Sequence, residues 1–325
     1  MRPLWKDILA AVWIGMILPG TVLNAFVWKE NQLELQQLPQ LQVQIIPESG
    51  QSILVQNTDG TCTNMDLDTY LTGVLLAEIP AGFHEEAIKA QSVAARTYAW
   101  KAHSTGGKHG DSSVCTEASC CQAYIGEDAY LSRGGNRDDL DKVRKLVQAT
   151  SGMVLLYDGE PIEATYFSSS GGSTEAAVAV WGSDYPYLQA VSSPEECLAD
   201  SVTFSVEEFQ NTLEKHFPGD PEEWFGSVEY TEGGGVATMQ ICGEIYTGVE
   251  LRSLLALRST DFQVHTEDDT IVITTNGYGH RVGMSQYGAH TMAKNGSNYQ
   301  KILQHYYPGT NLVPIPQHYP LTTEG

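Results

Sequence analysis

The sequence predicts an α+β fold, in which mixed helices and antiparallel strands surround a substrate cleft, preceded by an N-terminal transmembrane helix. Helical periodicity dominates about 65–150 and returns at about 284–307, whereas short apolar and alternating runs bounded by turn residues fill about 151–280. These segments follow no strict βαβ rhythm, which disfavours a doubly wound parallel sheet. The predicted organisation is a membrane anchor (1–28), a tether with short strands (29–60), a globular domain (61–315) and a tail (316–325).

The composition limits the classes of partner. The 325 residues are 42% hydrophobic, which is enough to bury a core in one or two domains. The chain has 40 acidic side chains against 18 basic ones, so its formal net charge is -22. A surface of this sign repels phosphate backbones, so we expect no nucleic-acid partner.

The N-terminus predicts a membrane anchor. An apolar run from Ile8 to Trp28 follows Arg2 and Lys6, and it is long enough to cross a hydrocarbon layer of about 30 Å as a helix. The basic flank predicts a cytoplasmic N-terminus and an extracytoplasmic globular domain. A cleaved signal peptide is the alternative, but bulky Leu23 stands where a cleavage site prefers a small residue.

The elements of the globular domain follow in order. A first helix is capped by Asp66 or Asp68 and cannot continue through Pro80. An Ala-rich helix comes next, and a hairpin is predicted around Asp158-Gly159. Helices are also predicted for "DDLDKVRKLVQAT", "SVTFSVEEFQNTLEKHF", "GVELRSLLAL" and "GAHTMAKNGSNYQKILQHYY", and strands for "ILVQ", "VATMQICGEIY" and "TIVITTNG".

Glu78 is the first candidate for chemistry. It shares the apolar face of the first helix with Leu71, Val74 and Leu75, and it stands at the helix C-terminus. Desolvation and the negative end of the helix dipole both raise the pKa of such a carboxyl, which favours a general acid. The alternative is that Glu78 only marks where the helix meets solvent. Gly73, inside the same helix, indicates that another segment approaches closely.

Two Gly-rich segments are candidate binding loops. "YFSSSGGSTE" has small hydroxyl residues and glycines that allow a sugar to approach the backbone, although a plain turn is the alternative. "GYGHRVGMSQYGA" lacks the lysine of a phosphate loop. The candidate substrate-binding residues in these two segments are Tyr166, Ser168, Ser169, Ser170, Gly171, Gly172, His280, Ser285, Gln286 and Tyr287.

Several long motifs resemble one known family. "YLTGVLLAEIPAGFHEEAIKAQSVAARTYA", "TYFSSSGGSTE", "VWGSDYPYLQAV", "LRSLLALRSTDF" and "GYGHRVGMSQYGAHTMAKNGSNYQKILQHYYPGT" resemble, in the same order, blocks of the SpoIID domain family, the stage II sporulation protein D group of peptidoglycan lytic transglycosylases. The similarity runs from about Met65 to Thr310. Ile79 stands where the family more often has Met, and Arg281 stands where it more often has Gly, which could alter how the second loop meets substrate.

The resemblance implies a reaction. It makes Glu78 the catalytic acid in cleavage of the β-1,4 bond between N-acetylmuramic acid and N-acetylglucosamine, with attack by the muramic C6 hydroxyl on its own anomeric carbon to give an anhydro sugar. One carboxyl can first donate and then accept a proton, so no second acid and no cofactor is required, although Glu163 or Glu175 could lie near. Lys89 and Arg96 become candidates for the cleft wall, and His280 for binding or support.

The cysteines leave two chemistries open. His109, Cys115, Cys120 and Cys121 would complete a closed, structural zinc site, which the resemblance to clostridial-type members also implies. Disulfides are the alternative outside the cell, for example between Cys115 and either neighbour.

The resemblance also implies a setting. It predicts a single-pass membrane protein in the septal space between mother cell and forespore, acting on peptidoglycan glycan strands during engulfment. Its partners would be a cell-wall amidase and a membrane protein that localises the complex. A non-catalytic amidase enhancer, which binds glycan or activates an amidase, is the alternative function.

Overall fold

The computed structural model describes residues 51–110, 112–196 and 198–316. The predicted anchor, the first part of the tether and nearly all of the predicted tail lie outside the described residues. Among the helices that are described, none is both long enough and apolar enough to cross a membrane.

The described chain is a mixed α/β structure with mainly antiparallel sheets. The helices are α1 (Leu67–Glu78), α2 (Glu85–Thr105), α3 (Glu127–Ser132), α4 (Arg137–Ala149), α5 (Ala177–Trp181), α6 (Val206–Thr212), α7 (Gly248–Leu254), α8 (Gln286–Lys294) and α9 (Tyr299–Tyr306). The strands are β1 (Ser52–Gln56), β2 (Cys62–Asp66), β3 (Val114–Cys115), β4 (Met153–Tyr157), β5 (Glu160–Pro161), β6 (Tyr166–Phe167), β7 (Ala199–Ser205), β8 (Phe225–Tyr230), β9 (Val236–Ile241), β10 (Glu244–Thr247), β11 (Phe262–Glu267), β12 (Thr270–Asn276), β13 (Met284–Ser285) and β14 (Asn311–Pro314).

Helix α1 begins and ends where its sequence dictates. The Asp66 carboxylate accepts the backbone N–H of Thr69 at 2.9 Å, and this bond satisfies one of the free N–H groups of the first turn. The helix ends at Glu78 because Ile79 is extended, as the residue before a proline prefers to be. Glu78 is therefore fixed at the last helical position.

Helix α2 is the centre of the helical part and buries both of its faces. One face packs with α1, α4 and β1, through buried residues such as Ile88 and Ala99. The other face meets α8 and α9 through Ala87, Ala90 and Ala94, whose small side chains let the helices approach closely. Because α2 is fixed on both sides, the segments that pack on it share a rigid support.

A separate β-rich part has its own core. The sheets β11-β12-β7 and β10-β9-β8 enclose buried side chains with α6 and α7, among them Phe209, Trp224 and Ile273. The predicted helix over "SVTFSVEEFQNTLEKHF" is wrong in its first part. Ala199–Ser205 is strand β7, paired with β12, because Val202 and Phe204 alternate with polar residues at the period of a strand. Helix α6 begins only after Ser205, which forms a capping box with Glu208.

The predicted hairpin at Asp158-Gly159 is confirmed, since β4 and β5 pair across it. Both turn residues have positive φ, 50° for Asp158 and 87° for Gly159, as the tight turn between these strands requires. Strand β14 pairs with the other edge of β4.

The two Gly-rich segments are joined along their length. Strands β6 and β13 are parallel neighbours, Ser169 pairs with Tyr278, and Glu175 pairs with Val282. These backbone hydrogen bonds hold the two segments side by side.

Candidate active site

A cavity of about 380 Å³ lies at the C-terminal end of α1. Of the residues predicted from the sequence, Glu78, Tyr166, Ser168 and His280 line it. The remaining lining residues are Tyr98, Ala118, Cys121, Gln122, Ala164, Thr165, Phe167, Tyr278 and Gly279. The cavity therefore brings together the first helix, the loop that follows Cys121 and both Gly-rich segments.

Glu78 is half-buried and has one strong partner. Its Oε1 accepts the backbone N–H of Ala123 at 2.8 Å. Burial raises the pKa of Glu78, and the bond from Ala123 opposes part of that rise because it favours the charged form. The end of the helix dipole acts in the same direction as burial. Glu78 is thus held in one position and favours its protonated form more than a solvent-exposed glutamate does.

The loop after Cys121 packs directly against α1. A Cβ atom added to Gly73 would lie 2.4 Å from the ring of Tyr124 and 2.7 Å from the carbonyl oxygen of Ile125. The close approach expected at Gly73 is therefore present. The Ile125 N–H also donates to the Gly73 carbonyl at 3.2 Å. Only glycine allows this contact, which holds Ala123 within reach of Glu78.

Tyr166 is fixed by a glutamine. The Gln122 amide donates to the Tyr166 hydroxyl at 2.9 Å, and the Tyr70 hydroxyl donates to the Gln122 carbonyl at 3.2 Å. Burial first, and then the charge of Glu78, raise the pKa of Tyr166 well above its ordinary value. Its hydroxyl is therefore neutral and keeps its own proton to donate into the cavity.

His280 supports the cavity rather than carrying protons. Its ring lies 5.6 Å from the ring of Phe167 and 5.3 Å from that of Trp181. Burial, followed by the charge of Arg252, lowers the pKa of His280 to about 4. Nδ1 accepts the Val282 N–H at 3.1 Å, and the ring also bonds the backbone of Tyr166. The neutral imidazole thus ties the two Gly-rich segments together.

Ser169, Ser170 and Ser285 are buried and are not among the residues that line the cavity. Ser170 and Ser285 both donate to the carboxylate of Glu195, Ser170 through its hydroxyl at 2.6 Å and also through its backbone N–H. Ser169 is paired through its backbone with Tyr278. These serines therefore hold the loops in place and, unlike Ser168, do not line the cavity.

Four other predicted positions also lie off the cavity lining. Gly171 and Gly172 have φ values of 76° and 119°, so they form the turn of their segment. Gln286 is buried at the start of α8, and Tyr287 packs on Phe83 with their ring centroids 5.0 Å apart. In this structure all four belong to the turns and packing around the cavity and not to its lining.

Arg96 and Lys89 do not line the cavity either. Arg96 is fully buried, and it pairs with Asp68 at 3.0 Å and donates to the backbone carbonyl of Thr150 at 2.7 Å. Lys89 pairs with Glu86 at 2.7 Å, and Glu86 accepts the Tyr299 N–H. Arg96 thus joins α1, α2 and α4, and the pair of Lys89 and Glu86 joins α2 to α9. Arg96 lies in the interior, Lys89 is half-buried, and neither side chain lines this cavity.

Arg281 does not reach the cavity. It has a φ of 65°, the left-handed conformation that glycine adopts most easily, which explains why glycine suits this position. Its buried guanidinium pairs with Glu175 at 3.1 Å and donates to the carbonyls of Ser170, Ser173 and Gly233. The side chain is therefore turned into the protein interior, where it binds carbonyls of the first Gly-rich segment.

No second carboxylate lines the cavity among the described residues. Glu163 pairs with Lys101 at 2.7 Å and lines a neighbouring cavity of about 330 Å³, and Glu175 is bound to Arg281. Glu78 is thus the carboxyl that the structure offers to a substrate at this position.

His109, Cys115, Cys120 and Cys121 are brought together. One ligand atom of each lies within 4.8 Å of the others. His109 Nε2 lies 3.3 Å from Cys121 Sγ and 3.4 Å from Cys120 Sγ. Tetrahedral zinc bonds of roughly 2.0–2.3 Å need ligand atoms at such separations, so the donor set fits a closed zinc site. The three cysteines are free thiols here, as are Cys62 and Cys242, and Cys197 lies outside the described residues.

Comparison with known proteins shows which family this chain is similar to. A model of the SpoIID family, described as stage II sporulation protein, matches residues 56–157. The chain is 37% identical over 277 residues to stage II sporulation protein D of Bacillus amyloliquefaciens, which covers 82% of this chain and 80% of that protein. It is also 37% identical to the Bacillus subtilis protein of the same name, over 77% of this chain and 75% of that protein.

The chain belongs to the stage II sporulation protein D family. The family resemblance found in the sequence is thereby confirmed. The chain is also 29% identical to a Bacillus subtilis protein named amidase enhancer, over 75% of this chain and 40% of that protein.

Sequence reasoning missed three residues that shape the site in this member of the SpoIID family. Gln122 and Ala123 fix Tyr166 and Glu78, and Glu195 binds the serines of both Gly-rich segments. The position of Gln122 and Ala123 directly after Cys121 was the available signal. Ala123 binds Glu78 through its backbone N–H, and every residue except proline has such a group, so its residue type gives no signal. Glu195 lies far along the chain from the serines that it binds.

Proposed function

We propose that this stage II sporulation protein D family member is a lytic transglycosylase that cleaves the β-1,4 bond between N-acetylmuramic acid and N-acetylglucosamine in peptidoglycan. The supporting observation is Glu78, a half-buried carboxyl with a raised pKa in a cavity that no other described carboxylate lines. Such a group is suited to donate a proton to a leaving oxygen.

The proposed reaction balances without water. Glu78 protonates the bridging oxygen as the bond from that oxygen to the muramic anomeric carbon breaks. The muramic C6 hydroxyl oxygen bonds to the same carbon, and its proton returns to the Glu78 carboxylate. The products are a 1,6-anhydro muramic end and a free N-acetylglucosamine hydroxyl. Enzymes that use water as nucleophile need a second carboxylate, and an intramolecular attack does not.

We also propose that His109, Cys115, Cys120 and Cys121 hold a structural Zn²⁺. Three thiolates and one imidazole would leave no open position, so the ion would act on folding and not on the substrate. Cys121 is followed at once by Gln122 and Ala123, the residues that contact Tyr166 and Glu78. Fixing the loop at Cys120 and Cys121 would therefore fix the surroundings of the acid.

The cellular setting is a proposal of the same kind. The apolar N-terminal run supports a single membrane anchor with an extracytoplasmic catalytic domain. The proposed substrate is the septal wall between mother cell and forespore during engulfment, and the proposed partners are a cell-wall amidase and a localising membrane protein.

One experiment tests the activity. Peptide-free glycan strands are incubated with the parent protein, with Glu78→Gln, and with Glu163→Gln as a matched control, and anhydro-muramic ends are counted by mass spectrometry. We expect such ends from the parent and the control, and a loss of at least a hundredfold in Glu78→Gln. Cutting by Glu78→Gln at the parental rate would show that Glu78 is not the acid.

A second candidate function is enhancement of a wall amidase, favoured by the similarity to the protein named amidase enhancer. The same samples, mixed with intact sacculi and an amidase, distinguish the two. Stimulation of the amidase without any anhydro ends would support the enhancer, and the transglycosylase proposal would then fail.

A further inference from the structure

Two exposed aromatic rings stand at the rim of the Glu78 cavity. Tyr278 lines the cavity with 53% of its surface exposed. Trp181, 43% exposed, lies 5.3 Å from the ring of His280, which lines the same cavity. Large aromatic rings normally bury most of their area, so two of them left open beside one cavity indicate a surface that binds a ligand.

The backbone of both residues is held by neighbouring structure. Trp181 ends the short helix α5, and the left-handed Gly182 follows it. Tyr278 is held by two backbone bonds with Ser169, of 2.7 and 3.1 Å, and the Arg258 guanidinium lies 5.5 Å from its ring centroid. Arg258 is itself fixed by Asp200 at 2.8 Å. A rigid aromatic face loses little entropy when a ligand stacks on it.

A cation lies near Tyr278 and near His280, the imidazole that Trp181 contacts. Arg252, on α7, is close enough for its charge to act on both Tyr278 and His280. Its buried Nε has no hydrogen-bond partner, and the guanidinium forms no ion pair with any acidic side chain in the described part of the chain. Other arginines of this acidic protein do form ion pairs, among them Arg96, Arg137, Arg144, Arg258 and Arg281.

We propose that Trp181, Tyr278 and Arg252 form a carbohydrate subsite that takes a sugar ring carrying a carboxylate. The rings stack on the apolar face of the sugar, and the guanidinium pairs with the acid. This assignment rests on the proposed glycan substrate. Muramic acid without its peptide carries a carboxylate on its lactyl group, whereas N-acetylglucosamine carries none. The subsite would therefore position the strand by its muramic residues.

Binding to the full-length protein in detergent tests the subsite. The parent for binding carries Glu78→Gln, so that the ligand is not consumed. The probes are peptide-free glycan strands and the same strands with their carboxylates converted to methylamides, and calorimetry measures the dissociation constants. Trp181→Ala and Tyr278→Ala remove the rings, and Arg252→Met removes the charge while keeping the length of the side chain. Tyr230→Ala, at another exposed tyrosine, and Arg133→Met are the matched controls.

We expect loss of either ring to weaken binding of both probes by roughly tenfold. We expect Arg252→Met to weaken binding of the carboxylate strands to the level of the amidated strands and to leave the amidated strands unaffected. Ring variants that bind like Tyr230→Ala, or equal losses for both probes in Arg252→Met, would overturn the subsite.

The two proposals fail in different ways. Anhydro ends are counted separately with Glu78 intact. Absence of anhydro ends, together with the expected binding pattern, would reject the transglycosylase and keep the subsite as a glycan-binding surface. If the protein with Glu78 intact produces anhydro ends, and the ring and arginine variants bind glycan as tightly as the parent, the subsite is rejected and the transglycosylase proposal stands.

Discussion

Ala123 donates its backbone N–H to Glu78 Oε1 at 2.8 Å, two residues after Cys121. This bond connects the proposed metal loop to the proposed catalytic acid through one short stretch of backbone. Because Gly73 lets Tyr124 and Ile125 lie against α1, the same stretch is fixed from both sides. The protonation state of Glu78 therefore depends on the loop as well as on burial.

The first prediction concerns the pH dependence of cutting. An acid must be protonated to act, so the rate falls as pH rises through the pKa of Glu78, which burial raises. Ala123→Pro removes the N–H that favours the carboxylate. We expect the alkaline limb of the pH–rate profile to move upward by roughly one pH unit.

Ala123→Gly keeps the N–H and serves as the control for this prediction. Its profile should match that of the parent. A downward shift in Ala123→Pro, with an unchanged melting temperature, would contradict the assigned role of the bond.

The second prediction concerns Gly73. In Gly73→Ala the new methyl would meet the Tyr124 ring and the Ile125 carbonyl, so the loop must move. We expect a loss of about 1–3 kcal/mol in the free energy of unfolding and a clear fall in cutting rate. Gly82→Ala is the control, since a Cβ there has open space. Denaturant unfolding measures the first effect, and equal stability of the two variants would refute the close contact.

The third prediction concerns the metal. Elemental analysis should find about one zinc per chain, and Cys120→Ser or a strong chelator should remove it. Loss of the ion should lower the melting temperature and reduce cutting by roughly tenfold, because the loop that holds Ala123 is released. Cys242→Ser, at an exposed free thiol outside the cluster, should do neither. Thiol titration under denaturing conditions that reveals a disulfide within the cluster would rule out this site.

The fourth prediction concerns stability at acid pH. Burial lowers the pKa of His280 to about 4, against an ordinary value of 6.5, so the unfolded chain takes up this proton first as pH falls. Neutral His280 contributes up to about 3 kcal/mol to the free energy of unfolding above about pH 6.5. This contribution is lost as the pH falls from about 6.5 to about 4.

Urea unfolding of His280→Asn, compared with the parent at each pH, isolates this effect. The difference in stability should shrink as the solution is acidified. Gln263→Asn, at an exposed residue without a titratable side chain, should show no such trend. A constant difference for His280→Asn would count against the buried neutral imidazole.

The sequence predicted those features of the fold that depend on residues close together along the chain. The Asp66 cap, the stop before Pro80, the turn at Asp158-Gly159 and the close contact at Gly73 were all predicted from neighbouring residues. Strand β7 was missed because the helical pattern after Ser205 was extended backwards over a segment with strand periodicity.

Long-range pairing decided the roles of most candidate residues. Arg96 looked like a binding cation, but its partner Asp68 lies on another helix. Ser170 and Ser285 looked free to bind a sugar until Glu195 was found between them. The type of a polar residue does not reveal whether its hydrogen bonds and its charge are already satisfied by a partner elsewhere in the protein.

The sequence by itself determined the family, the position of Glu78 at the end of an apolar helix, and the four residues of the proposed zinc site. Each follows from residue type and spacing along one stretch of chain. The tertiary structure alone decided the surroundings of Glu78, because the Ala123 N–H that binds it and the cavity residues Tyr166 and Tyr278 come from segments far from it along the chain. Burial and hydrogen bonding depend on where those segments pack, and packing is a property of the whole chain.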